Sequence, residues 1–359
     1  MKVVYVTSES YIDHSYTIVR ELRKHIDDFP VFLQGREKTK EIETWCNKLN
    51  AVFVKRKRFR NPVSIFSELG FILRIRKLKP DIVWFNTLTV YQLFLVKLLI
   101  KKFLVVVHDI EIHPGGGAVH GTLSVKMAFK FAKRNICVVS KTQAGLFKRS
   151  YGIEPKVFQL PIINYYREIA NEDIKKEEGS KICFFFFGSI EAYKGIEALI
   201  GAAEILEKKG IGFILNIYGK IKYSRGVFSE KMNSLRNVTL YDEFVNYREV
   251  HKIYNQNDVI ILPYKQVTQC GPLLIAFDEL VPAICSDLEG FREYVEDGKN
   301  GIVFNNSKED LADKMKLFIY NPDLILNIKD NIRTETHGEF SMNYLQKSYI
   351  ENFIDELNP

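Results

Sequence analysis

Ile182-Cys-Phe-Phe-Phe-Phe-Gly-Ser-Ile-Glu-Ala-Tyr-Lys-Gly195 runs from a continuous apolar stretch through a glycine into a polar turn, and residues 196–208 follow with helical apolar spacing. An unbroken apolar run reads as a strand buried on both faces, and a strand that turns at glycine into a helix is half of a βαβ unit. The same order recurs in Leu262-Pro-Tyr-Lys-Gln-Val-Thr-Gln-Cys-Gly-Pro-Leu-Leu-Ile-Ala-Phe277: strand end, glycine-bearing turn, apolar helix. Around these, 213–218, 238–240, 259–262 and 283–286 read as strands, and 250–255 and 272–279 as helices. The alternation predicts a doubly wound parallel α/β domain.

The first half has the same rhythm. Strands are expected at 3–7, 31–33, 51–54, 82–86, 103–107 and 136–140, with helices at 18–25, 64–79, 91–101 and 123–133. After Pro161 a polar stretch, 168–180, interrupts the pattern before it restarts. A length of 359 residues suits two domains, and the boundaries are drawn at 1–164 and 165–342. In the final segment, 343–359, Tyr344, Leu345, Tyr349, Ile350, Phe353 and Leu357 form one helical stripe that could close either domain, a return to the N-terminal one included.

With 46% hydrophobic and 26% charged residues the chain reads as globular rather than disordered. Its five cysteines include no C-x-x-C pair, which fits a reducing, cytoplasmic compartment without structural zinc. The N-terminus enters a strand directly, without the pattern of a signal peptide, and the apolar stretch 87–108 is broken by Lys97, Lys101 and Lys102, too early for a spanning helix. Neither a G-x-x-x-x-G-K-[ST] loop nor a G-x-G-x-x-G follows the first strand, which argues against an ATPase and a nicotinamide dehydrogenase. The net charge of +7 is divided: residues 1–166 carry 28 Lys and Arg against 13 Asp and Glu, a net of +15, while the rest carry 23 against 31, a net of −8.

Chemistry concentrates at the two turns already quoted. Gly188 lets a phosphate approach the backbone and Lys194 supplies a compact positive charge. Amides from Gln269 through Cys270 and Gly271 to Leu273, at the start of a helix whose first turn holds Pro272, are placed to face a diphosphate, with the Thr268 hydroxyl as a further donor. A capped helix and a solvated lysine are the plainer alternatives.

These segments, with Ser286-Asp-Leu-Glu-Gly-Phe-Arg-Glu-Tyr-Val-Glu-Asp-Gly-Lys-Asn-Gly301 after them, resemble the nucleotide-sugar-binding domain of family 4 glycosyltransferases, retaining enzymes of the GT-B fold. That resemblance implies two doubly wound Rossmann-like domains facing a central cleft, with Gly188 and Lys194 where the donor diphosphate is held and Ser189 beside them on the donor side. It also places Gly219, Thr268–Leu273 and Glu293 on the donor side. Ser189 stands where many members carry arginine, and Val267 and Ile275 occupy the positions of a glutamate pair found in many members. Gln269-Cys-Gly271 is similar to a Gln-Ser-Gly variant of that turn. No cofactor and no catalytic metal are implied.

In the first half, Val105-Val-Val-His-Asp-Ile-Glu-Ile-His-Pro-Gly-Gly-Gly117 brings ionisable groups to a strand end and into a glycine-rich loop. His108 and Asp109 are the candidate catalytic residues on the acceptor side, and His113 with Gly115, Gly116 and Gly117 forms the expected loop beside them. Basic residues cluster at Lys55-Arg-Lys-Arg-Phe-Arg60, at Arg74, Arg76, Lys77 and Lys79, and at Lys126, Lys130, Lys133 and Arg134, among Phe59, Phe66, Leu69, Ile72 and Phe129. They suggest peripheral attachment to the anionic inner face of the cell membrane, and no nucleic-acid motif accompanies them. The resulting expectation is a glycosyltransferase that moves a sugar from a nucleotide diphosphate-sugar to a glycan or lipid-linked glycan in cell-surface polysaccharide or glycoconjugate synthesis. A noncatalytic partner subunit of the same fold and a nucleotide-sugar epimerase are the alternatives.

Overall fold

The computed structural model describes residues 1–56, 63–88, 90–108, 131–170, 181–222, 232 and 234–358. They form two compact units, one holding the described residues of 1–161 and 342–358, the other those of 162–341.

In the first unit, β1 (Val3–Ser8), β2 (Val31–Gly35), β3 (Val52–Lys55), β4 (Ile82–Phe85), β5 (Phe103–Val107), β6 (Ile136–Val138) and β7 (Lys156–Val157) pair in the order β3-β2-β1-β4-β5-β6-β7. The pairings are parallel, with Tyr5 opposite Val31 and Trp84 in register. Every residue of β1, β4 and β5 is buried, because helices cover both faces of a parallel sheet. On one face, the helix Val63–Lys77 buries Phe71, Ile72 and Ile75, and the helix Val90–Leu99 with Ile100 after it buries Leu93, Val96 and Ile100, against Val4, Phe85 and Val105. Trp84, adjacent to Phe85 in the strand, turns to the other face, where its ring lies 4.9 Å from Phe158 and 5.4 Å from Phe353. Phe353 and Tyr349 belong to the last helix, Met342–Leu357, which buries Met342, Leu345, Tyr349 and Phe353. Tyr344 is a correction to the sequence reading: it lies about a quarter turn off the buried Leu345–Tyr349–Phe353 line and is 65% exposed.

The second unit joins β8 (Cys183–Phe187), β9 (Ile214–Tyr218), β10 (Val238–Tyr241), β11 (Val259–Leu262), β12 (Ala283–Ser286) and β13 (Ile302–Phe304) in the order β10-β9-β8-β11-β12-β13, again parallel. The helices Ile196–Lys208 and Gly271–Asp278 follow β8 and β11. Helices also occupy Lys308–Tyr320 and Asp323–Asn331, which the sequence reading passes over. The start signal of the first is Ser307, whose hydroxyl accepts from the Asp310 N–H. None of the five cysteines is in a disulfide. Among the described residues no helix is long and apolar enough to cross a membrane.

Strand order reverses beside the first strand of each sheet, between β1 and β4 and between β8 and β11. Successive connections leave in opposite directions there, so the carboxyl ends of those strands flank a crevice in which α/β proteins bind ligands.

Candidate functional site

At the β8–β11 switch point the backbone is shaped by glycines. Gly219 ends β9 with φ +152°, and a Cβ there would stand 1.9 Å from the Gly188 carbonyl oxygen. Gly188 itself has φ +120°, with its N–H donating to the Tyr218 carbonyl at 3.0 Å. A Cβ on Gly188 would meet the Lys194 ammonium at 3.3 Å and Pro272 at 3.9 Å, so the turn after β8 and the start of the helix Gly271–Asp278, far apart in sequence, converge on this bare backbone. Gly195, absent from the sequence-derived site, has φ +62° and would place a Cβ 1.9 Å from the Pro263 carbonyl. Both contacts are to backbone, which cannot rotate away. Gly219→Ala is therefore expected to destabilise the second unit by about 2–3 kcal/mol, and a thermal melt that leaves Tm unchanged would refute this packing.

Lys194 ends the short 3₁₀ turn Ala192–Lys194 and is 8% exposed. Its Nζ donates to the Ser189 hydroxyl at 3.2 Å, Ser189 donates to Glu191 at 2.7 Å, and Lys222 reaches the same carboxylate at 3.3 Å. The ammonium also lies 5.6 and 5.8 Å from the ring centroids of Tyr264 and Tyr193. Burial pushes the Lys194 pKa down. Burial alone would raise the Glu191 pKa, but the Ser189 hydrogen bond and the charges of Lys222 and Lys194 outweigh it and hold the carboxyl below its usual value. Apolar and aromatic walls thus hold a cation whose direct hydrogen bond is to a hydroxyl and whose nearest balancing carboxylate is one residue removed.

Beside it, the turn after β11 enters the helix Gly271–Asp278 through Cys270, with Pro272 in the first turn and no side-chain cap hydrogen bond. Cys270 is buried against Tyr264 and Lys194, and burial pushes its thiol up to about 11. The Leu273 N–H is turned to the Cys270 sulfur and its side chain is buried. Tyr254 donates to the Pro272 carbonyl at 3.0 Å and so fixes the start of the helix. Thr268 and Gln269 are half-buried in the turn, which rests on Gly290: a Cβ there would be 2.5 Å from the Val267 carbonyl and 3.2 Å from Thr268 Cα. Ile275 is buried within the helix. Gly188, Gly219, Ser189, Lys194, Cys270 and Pro272 are thereby brought together. Glu293, half-buried, lines a groove of about 400 Å³ with Tyr294, Asn300, Thr336 and Glu339.

In the first unit, β1, β4 and β5 bring a second polar cluster to their carboxyl ends. His108 follows β5 and is buried, with Nε2 2.9 Å from the Asn86 carbonyl oxygen and 3.1 Å from Asn86 Oδ1. Two oxygens around one ring nitrogen require the proton on Nε2, which leaves a lone pair on Nδ1; that buried atom has no hydrogen-bond partner among the described residues. The Asn86 amide donates to Thr7, His14 and Ser15 at 3.2–3.3 Å. Tyr11 stacks on the imidazole with centroids 3.9 Å apart, and Gln143 donates to the His108 carbonyl. Burial, with His14 nearby, pushes the His108 pKa down to about 3 against the opposing Asn86 hydrogen bond, so the ring is neutral at physiological pH. Sequence reasoning missed Asn86, His14 and Tyr11; the available signal for Asn86 was a polar residue immediately after a buried strand, whereas Tyr11 and His14 lie in the turn and helix that follow β1. Asp109, His113, Gly115, Gly116 and Gly117 lie outside the described residues, as do Lys57, Arg58, Phe59, Arg60, Lys126, Phe129 and Lys130. Among the described residues no group of three or more His, Cys, Asp or Glu converges as a metal site.

Residues 168–335 match the family model for glycosyl transferases group 1. A glycogen synthase of Thermodesulfovibrio yellowstonii is 29% identical over 170 residues, covering 46% of this chain and 33% of that protein. An uncharacterized glycosyltransferase of Methanocaldococcus jannaschii is 24% identical over 236 residues, or 62% of this chain and 57% of its own. The chain thus spans between a third and three-fifths of the length of these curated relatives. Over the whole chain, a glycosyltransferase structure from Rickettsia africae superposes with TM-score 0.74 at 15% identity, covering 99% of both. Anabaena HepE in complex with UDP superposes with TM-score 0.74 at 13% identity, covering 99% of this chain and 100% of that one. The fold is therefore the pair of parallel-sheet Rossmann-like domains seen in GT-B glycosyltransferases, as the sequence led us to expect.

Proposed function

We propose that this protein is a glycosyltransferase that moves a sugar from a nucleotide diphosphate-sugar to a glycan or lipid-linked glycan acceptor, with retention of configuration, in polysaccharide or glycoconjugate synthesis at the inner face of the cell membrane. The observation that carries it is Lys194: a buried ammonium beside the bare backbone of Gly188 and the start of the helix Gly271–Asp278, inside the segment that matches group 1 glycosyl transferases. A diphosphate between them would gain a charge-assisted hydrogen bond from Lys194 and the positive end of the helix dipole. Both act most strongly as the glycosidic bond breaks and negative charge grows on the leaving diphosphate. His108 Nδ1, whose lone pair has no partner among the described residues, would accept a hydrogen bond from the acceptor hydroxyl.

Support for the donor class comes from the solved HepE complexes, one with UDP and one with UDP-glucose, which makes uridine diphosphate-sugars the first donors to test. Calorimetric titration of a nucleotide and nucleotide-sugar panel, with Lys194→Ala alongside, tests the reading. Selective binding that weakens in the variant supports it; a folded protein that binds none of the panel overturns it in favour of a noncatalytic partner. An acceptor-free isomerised sugar product would identify an epimerase instead.

In this reading the diphosphate charge is met by Lys194 and the helix start, so no metal is required. Sugar transfer is expected to persist unchanged in excess EDTA, and a loss that added Mg²⁺ or Mn²⁺ restores would refute that assignment.

A further inference from the structure

We propose that the helices Val63–Lys77 and Val90–Leu99 form the face on which the first unit docks to an anionic lipid leaflet. The two helices bury their inner sides in one core, so their outer sides share one layer of the unit. That outer layer is not polar. Phe66 is 74% exposed, Leu98 80% and Phe94 51%, with Ile65 and Leu73 also exposed. Phe66 and Leu73 are two helical turns apart, as a stripe requires, and Leu98 is one turn beyond Phe94.

Cations border these side chains. Arg74, Arg76, Lys77 and Lys79 edge a shallow groove of about 700 Å³ that Gly70 and Leu73 floor; Lys101 follows the second helix, whose own Lys97 is held over the Phe131 ring and donates to the Phe131 carbonyl. The acidic residue of the pair of helices, Glu68, is engaged by Gln92 at 2.6 Å and Arg56 at 3.5 Å. The two helices therefore offer large apolar groups beside positive charge and, among their described residues, no exposed carboxylate. A leaflet presents hydrocarbon beneath negative headgroups and satisfies both features together. Nucleic acid would meet the charge and leave Leu98 and Phe66 in water, and a second copy meeting through the same face would bring like charges together. The proposal rests on the transferase reading for its purpose, presentation of a lipid-linked acceptor, but its evidence is the surface itself.

The test is flotation of the full chain with phosphatidylcholine vesicles prepared with and without phosphatidylglycerol. Wild type is expected to float with the anionic vesicles only. Partition should fall at least tenfold in Phe66→Ser combined with Leu98→Ser, and again in Arg76→Glu combined with Lys77→Glu. Because these side chains are exposed, both variants should keep the wild-type Tm. Equal flotation with both vesicle types, or partition unchanged in both variants, overturns the proposal. So does a wild-type dimer that the Phe66 and Leu98 changes make monomeric without any vesicle binding, which would assign the face to a second copy. Wild type that floats but binds no nucleotide would support docking while removing the transferase reading, so the two fail separately.

Discussion

Lys194→Ala is expected to lower kcat/KM for sugar transfer by about a thousandfold, roughly 4 kcal/mol of transition-state stabilisation, while leaving Tm unchanged or slightly raised. The two effects have one cause. Lys194 is buried between Tyr193 and Tyr264, its direct hydrogen bond is to Ser189, and burial lowers its pKa. A cation held this way pays much of its desolvation cost before any ligand arrives, so its removal relieves the unliganded fold. The developing charge on a leaving diphosphate would then lose its nearest side-chain counter-charge in a site shielded from water. Steady-state kinetics beside a thermal melt check both halves. Full activity would exclude the diphosphate role; a large fall in Tm would make Lys194 structural. Lys194→Arg should recover little, because the wider planar fork does not fit where a Gly188 Cβ would already stand 3.3 Å from the ammonium.

His108→Gln is expected to reduce transfer by about a hundredfold while preserving stability at neutral pH. The amide nitrogen of glutamine takes the place of Nε2 and can still donate to Asn86, whereas nothing replaces the Nδ1 lone pair. The wild-type ring stays neutral down to about pH 3, so its protonation should leave no inflection in the rate between pH 5 and 8. Stability behaves differently. In the unfolded chain the histidine titrates near its ordinary value of 6.5, whereas in the fold it does so only near 3. As pH falls below 6.5 the unfolded state takes up a proton that the folded state refuses, and stability drops by up to about 1.4 kcal/mol per pH unit. Urea unfolding at pH 7 and pH 5 should therefore show the wild type losing about 2 kcal/mol more than His108→Gln. Parallel losses in the two proteins would place His108 outside this buried network, and unimpaired transfer in the variant would remove it from the acceptor side.

Much of this protein is written in local pattern. The four phenylalanines before Gly188 can only be satisfied between two layers of helices, so run length alone identifies β8 and, with the helix after it, the parallel α/β class. Gly188, Lys194 and the Gln269–Gly271 turn were legible for a related reason: a turn that ends a buried strand opens at the carboxyl edge of the sheet, where ligands bind. The charge division between halves is likewise a property of the sequence.

Sheet order decided the rest. β1, β4 and β5 are neighbours, which sets Thr7, Asn86 and His108 at adjacent strand ends although the first and last are 101 positions apart in the chain. No local pattern carries that adjacency, nor the stacking of Tyr11 on His108 or the closeness of Gly219 to the Gly188 carbonyl. Exposure is also a tertiary fact. Phe66 and Phe71 are alike in sequence, yet one faces solvent and the other the core, and Tyr344 leaves the stripe to which its spacing assigns it. Composition and periodicity report what each segment must bury; which partner does the burying, and which side chain is left in water, follows only when the segments pack.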